Sequence, residues 1–199
     1  IATLMLNVAA GAFGDAAIAG MSIVTRISFF TYAMVIGLGQ GFQPLCGFCY
    51  GAKLYGRVKE AFFFCIKCGT VFLAVCALLG FIFSTSIISI FRDDAAVVAV
   101  GSVALRWQVL SFPLVASIVL TNMLMQTIRK PVRANIVAAA RSGLFFIPLI
   151  FILPYFFGLL GVEMCQMWAD CCSFAVAVPI AWSAFRDMRR EQMELGKSH

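Results

Sequence analysis

Of the 199 residues, 62% are hydrophobic and 12% charged, half of the roughly one quarter that covers a water-soluble domain. With a mean hydropathy of +0.98, the outer surface must face lipid, which excludes an ordinary soluble domain. The net charge of +6 does not mark a nucleic-acid partner, because the basic residues stand at the ends of apolar runs and not along one polar face.

Six apolar runs give the fold class: all-α, a polytopic transmembrane helix bundle. A crossing needs ~20 apolar residues. The first run, 1–13, is too short, opens at Ile1 in mid-stretch, and reads as the exit half of a span. A fragment of a longer chain with a truncated first helix is therefore expected. Gly14-Asp15 turns the chain into the second run, 18–49, which ends at Tyr50-Gly51-Ala52-Lys53. The third run, 61–91, ends at Arg92-Asp93-Asp94. The fourth, 97–128, is ~48 Å long at 1.5 Å per residue, too long for one crossing. Arg106-Trp107 is expected at its outer interface, with Ala95–Leu105 on or above the membrane. Pro113 should kink the remainder. Arg129-Lys130-Pro131 leads to the fifth run, 134–157, and Phe157-Gly158 to the sixth, 162–185. Residues 1–185 thus form a membrane lobe and 186–199 a basic tail.

Alternate loops set the orientation. Lys53, Arg57, Lys59, Arg129, Lys130, Arg133, Arg186, Arg189, Arg190 and Lys197 lie on one side. The other side has Arg92 among Asp15, Asp93, Asp94 and Glu163. Basic loops stay in the cytoplasm, so a multi-pass plasma-membrane protein with a cytoplasmic C-terminus is expected.

Ionisable groups inside spans are costly and mark function or pairing. Asp170 lies eight residues past Val162, ~12 Å along the axis, beyond the reach of a snorkelling carboxylate. It is either a proton or cation site or the partner of an arginine such as Arg26, itself deep in the second run and expected to face the bundle or a water-filled cavity. Lys67 can snorkel, Arg106 can anchor an interface, and Arg141 is open to either reading. Asn7, Asn122 and Gln126 fit helix–helix hydrogen bonds or a ligand pathway. His199 is the one histidine, which removes histidine-based catalysis. The eight cysteines nearly all lie in apolar runs, and Cys65-Ile66-Lys67-Cys68 has neither a second pair nor a histidine. They read as small apolar side chains, with no metal and no cofactor.

In the second run, Pro44 cannot donate to the carbonyl of Gln40, in a helix already loosened by Gly37, Gly39, Gly41 and Gly47. Free carbonyls at membrane depth are tolerated only against protein or water. Gly37 and Gly41 at this spacing also suit close helix packing, while Gln40 and Gln43 share a face that suits a polar pathway.

The stretch Gly37–Lys53, with Gln43-Pro44 and Tyr50-Gly51-Ala52-Lys53, resembles the eighth helix and following loop of multidrug and toxic compound extrusion (MATE) transporters. Cys49 stands where that family usually has asparagine. Asn7 with Gly14, Ile147-Pro148, Gly158–Val162 and Ala169-Asp170 resemble the seventh, eleventh and twelfth helices. The resemblance implies the C-terminal six-helix lobe of a twelve-helix exporter, partnered by an N-terminal lobe of the same protein. It further implies alternating access that moves amphipathic or cationic organic compounds outward against Na⁺ or H⁺, without covalent chemistry. Some members hold coupling acids in the seventh and tenth helices; the fourth run has none. A flippase of lipid-linked saccharide precursors is the alternative, kept open by Arg26, Arg106 and Arg141. A membrane-embedded enzyme lacks the clustered acids or nucleophile–base pair it would need.

Overall fold

The computed structural model describes residue 11 and residues 14–197, so most of the first run, Asn7 included, lies outside the described residues. The chain forms α1 (Asp15–Gly51), α2 (Tyr55–Ile82), α3 (Ser84–Phe91), α4 (Ala95–Thr127), α5 (Pro131–Ala139), α6 (Phe146–Phe157) and α7 (Leu159–Lys197). A π-helical turn, Ala140–Leu144, joins α5 to α6. Among the described residues, four helices are long and apolar enough to cross a membrane: α1, α2, α4 and α7. The twelve apolar residues of α6 continue, through the π-turn, the helix begun by α5. This is a multi-pass, all-α membrane bundle.

The two turns at the basic end share one geometry. After α1, Lys53 N–H donates to Tyr50 C=O (3.1 Å) and Leu54 N–H to Cys49 C=O (2.8 Å). After α4, Arg129 N–H donates to Gln126 C=O (3.2 Å) and Lys130 N–H to Met125 C=O (3.0 Å). These are the paired bonds of a Schellman ending, with Lys53 (φ 59°) and Arg129 (φ 57°) at the left-handed position that glycine usually fills. Pro131 then opens α5, where its missing N–H costs nothing. At the opposite end, the Asp94 carboxylate caps α4 by accepting from Ala96 N–H (3.0 Å).

Three elements differ from the sequence expectation. The third run is two helices, broken at Phe83. The sixth continues as helix to Lys197, so what reads as a tail prolongs α7. The start of α4 does not lie apart on the membrane: Val97, Gly101, Ala104 and Leu105 are buried. It packs against α1 and α3, closely enough that a Cβ on Gly20 would come 3.1 Å from Gly101 N, and one on Gly101 3.0 Å from Ile88 Cγ2.

The centre of the bundle is α4, which packs on α1, α2, α3, α5 and α7. Two large apolar cores stack along it, with a small third one of Ile118, Val137 and Ala177. One, toward the acidic end, gathers Met21, Val35, Leu73, Ile88, Leu105, Phe112, Ile150 and Val162. The other, at the basic end, gathers Phe42, Cys46, Cys49, Phe62, Leu124 and Met188. Side chains such as Phe64, Val71, Leu78 and Ile82 of α2, and Phe151 and Phe156 of α6, are exposed as lipid-facing groups should be.

Candidate functional site

A polar cluster is buried where α1, α4, the π-turn and α7 meet. Its origin lies in the fifth run: Pro148 cannot donate to the carbonyl of Leu144, and the regular helix gives way just there. Phe145 N–H bonds instead to Ala140 C=O, five residues back (3.2 Å). Such π-turns occur mainly as single insertions at functional sites. Here the turn carries Arg141, whose Nε donates to Asp170 Oδ1 at 3.0 Å.

Asp170 is fully buried, with three further donors around it. Ser111 Oγ (2.8 Å) and Gln108 Nε2 (3.5 Å) reach Oδ2 from α4, and Gln166 Nε2 (3.3 Å) reaches Oδ1 from one turn earlier on α7. Gln108 Nε2 also donates to the Tyr32 hydroxyl (2.9 Å). The Arg141 guanidinium lies over the Tyr32 ring, 4.7 Å from its centroid, a cation–π contact strengthened by exclusion of water. The cluster is charge-balanced and its carboxylate is saturated with donors, the condition under which a buried ion pair survives its desolvation cost. The Arg141 side chain keeps 22% exposure while Asp170 has none.

Arg26 is not the partner of Asp170. It is exposed, six residues before Tyr32 and on a different side of α1. Gly37, Gln40, Gly41 and Pro44 are exposed too, and with Arg26 they form one stripe at helical spacing. A Cβ on Gly37 or Gly41 would meet nothing within 4 Å, so no described helix packs on these glycines. Close packing uses others: Gly20, Gly69, Gly80 and Gly101. Gln43 is half-buried, and Gly47 makes ordinary contact with Thr127. Asn122 Nδ2 donates to Ala134 C=O (2.9 Å), tying α4 to α5, and Asn122 Oδ1 accepts from Gln126 Nε2 within α4. Asn7 lies outside the described residues.

Tyr32, Gln108, Ser111 and Gln166 went unnoticed in the sequence. The signal was weak but present: Gln108 and Ser111 stand three apart in one apolar run, and Gln166 four before Asp170. Glu163 is a correction. Expected among the outward loop acids, it is 3% exposed, and its Oε2 has no partner among the described residues.

The MatE family model matches residues 1–152. The multidrug export protein MepA of Staphylococcus saprophyticus is 28% identical over 180 residues, which are 90% of this chain and 39% of that protein. MepA of Staphylococcus aureus strain N315 is 29% identical over the same shares. This chain thus spans 39% of the length of these relatives. The MATE transporter VcmN of Vibrio cholerae in its bent form superposes with a TM-score of 0.88 at 19% identity, over 94% of this chain and 43% of that one. A MOP superfamily transporter from Pyrococcus furiosus gives 0.89 at 16% identity, over 95% and 43%. These two likenesses bear on the fold.

Proposed function

The chain belongs to the MatE family, and from that premise we propose that it forms one lobe of a secondary active exporter. A second lobe of the same protein would face it, and rocking between them would give alternating access. The observation that carries this reading is the open stripe of α1. Arg26 and Gln40 stand exposed there beside Gly37, Gly41 and Pro44, and Pro44 leaves the Gln40 carbonyl without its helical donor. Such a face is tolerated at membrane depth only against protein or a water-filled cavity. It is the wall of a substrate pathway.

The substrates are amphipathic or cationic organic compounds, and Na⁺ or H⁺ drives their export; the relatives' naming as multidrug export proteins supports this. The Asp170–Arg141 pair is the hub that positions α1, α4 and α7 behind the pathway, and the lobe needs no cofactor for this. The charge asymmetry of the loops supports a plasma-membrane location with the basic end and the C-terminus in the cytoplasm. A lipid-linked saccharide flippase is not favoured. The cationic cavity it requires is not assembled, since Arg141 is neutralised by Asp170, Arg106 donates to Ser84 (2.9 Å), and Arg26 lies on another face.

The test uses Gly37→Trp and Gly41→Trp in the full-length protein. This lobe has room at both positions, so membrane levels should stay near those of the parent while efflux of a fluorescent cationic dye falls at least tenfold. Undiminished efflux by both variants would remove α1 from the pathway.

A further inference from the structure

At the basic end, α2 and α7 leave between them a groove of ≈ 510 Å³. Three cations line it: Lys59 of α2, and Arg186 and Arg189 of α7. Of the nearby acids, Glu60 lines a neighbouring groove with Lys59, while Asp187 and Glu191 have partners of their own. Asp187 accepts from Lys130 Nζ (2.6 Å) and Arg133 Nη1 (3.1 Å) on another side of α7, and Glu191 accepts from the Tyr55 hydroxyl (2.7 Å). Among the described residues no acid pairs with any of the three groove cations.

The rest of the groove is aromatic, from Phe63, Trp182 and Phe185. Phe185 packs edge-on against Phe62 (5.1 Å) and stacks on Phe63 (5.9 Å), which fixes the wall. Trp182 is 74% exposed, as expected of an indole at the water–lipid boundary. A second groove shares Trp182 and Arg186 and continues over Val178 and Pro179, toward the middle of the bundle. The two together have a cationic end and a mostly apolar continuation along α7.

We propose that this paired groove binds one anionic phospholipid of the cytoplasmic leaflet. Its phosphodiester sits among Lys59, Arg186 and Arg189, and an acyl chain lies along Val178, Pro179 and Trp182. Guanidinium groups hold phosphate oxygens through paired, charge-assisted hydrogen bonds. The three cations, none of them in an ion pair among the described residues, complement the anionic leaflet that a basic membrane face meets. A soluble phosphate would use the cationic end alone and leave the apolar continuation without a purpose. The tie from Tyr55 to Glu191 and the clasp on Asp187 hold α7 against α2 and α5, so the site is formed before the lipid arrives.

The experiment takes the full-length protein, delipidated in a neutral detergent. Binding of phosphatidylglycerol and phosphatidylcholine is followed by native mass spectrometry and by thermal shift. The parent should retain phosphatidylglycerol in preference. The triple variant K59Q/R186Q/R189Q should lose affinity for it about a hundredfold, and R186Q alone about fivefold. The single variant keeps the test decisive if the triple does not fold. A matched triple outside the groove, K53Q/R57Q/R129Q, should bind like the parent. Equal losses in the two triples would show diffuse surface charge and overturn the site, as would unchanged binding in R186Q and the groove triple. Displacement of the lipid by inorganic phosphate at matched concentration would reassign the groove to a soluble anion and also overturn it.

Discussion

Asp170 shows what a membrane interior demands of a single carboxylate. Four donors, one of them a cation, surround its two oxygens, so the pair is stable as a unit and fragile in its parts. The two partners differ in exposure, and that sets an order of sensitivity. Arg141→Met leaves a fully buried carboxylate without its cation and should cost ~3–5 kcal/mol. Asp170→Asn leaves an arginine with 22% of its side chain exposed, which can turn toward that opening, so its cost should be about half as large. The double variant should recover part of the loss, because neither charge is then orphaned. Thermal unfolding of the purified full-length protein ranks the three, and an Arg141→Met variant as stable as the parent would dispose of the pair as a structural hub. Asp170 was legible in the sequence because a short side chain eight residues into a span cannot reach the headgroups. Its partner was not. Arg26 and Arg141 are equally plausible by position, and the choice is made by a π-turn whose one sequence trace is Pro148, four residues past Leu144.

The helix ends explain the most specific motif in the chain. Gly51-Ala52-Lys53 closes α1 with paired Schellman bonds, and Ile128-Arg129-Lys130 closes α4 in the same way. Both turns put a cation at positive φ, where a Cβ costs ~1–2 kcal/mol. Lys53→Gly should therefore stabilise the fold by about 0.5–1 kcal/mol, the relief of that strain less the extra entropy of an unfolded glycine. A higher thermal midpoint checks it; a lower one would mean that the Lys53 side chain contributes more than its backbone costs. Breaks of this kind were readable, because charge coincides with Gly at 50–53 and with Pro at 129–131. The break at Phe83 carries none of these signals, and the buried Ser84 hydroxyl there takes its hydrogen bond from Arg106, 22 residues away. The helical extension of α7 past Phe185 was hidden for a similar reason. Its composition reads as a solvated tail, while its order comes from Asp187 and Glu191 meeting Lys130, Arg133 and Tyr55, partners 54 to 136 residues distant.

Over the whole molecule, charge and exposure divide the labour. The ten basic loop residues lie at one end, and single cysteines at Lys53 and Arg133, in a background without the native ones, should resist an impermeant thiol reagent in intact cells. Cysteine at Asp15 or Asp94 should react, and labelling at Lys53→Cys without permeabilisation would reverse the proposed orientation. Exposure gives the stronger prediction: residues 1–199 expressed alone will not transport. The stripe of α1 that holds Arg26 and Gln40 has no described helix against it, and wherever it met hydrocarbon the cost would be high. A cation at membrane depth costs ~2.5–3.5 kcal/mol even on lenient scales. The Gln40 carbonyl, without its donor because of Pro44, adds a further few kcal/mol if nothing pairs with it. The other helices cannot supply that pairing, since their backbone bonds are internal. These costs are comparable to the whole folding stability of a domain, ~5–15 kcal/mol. A lobe on its own should be poorly folded in the membrane and should recover when the rest of the protein is supplied on the same or a separate chain. Alternating access also needs a second body to rock against, so even a folded single lobe would have no closed state on either side. Purified residues 1–199, reconstituted in liposomes with an imposed Na⁺ or H⁺ gradient and a fluorescent cationic dye, provide the direct measurement. Gradient-dependent dye movement by this chain alone would defeat the two-lobe reading, while movement only after the second lobe is restored would support it.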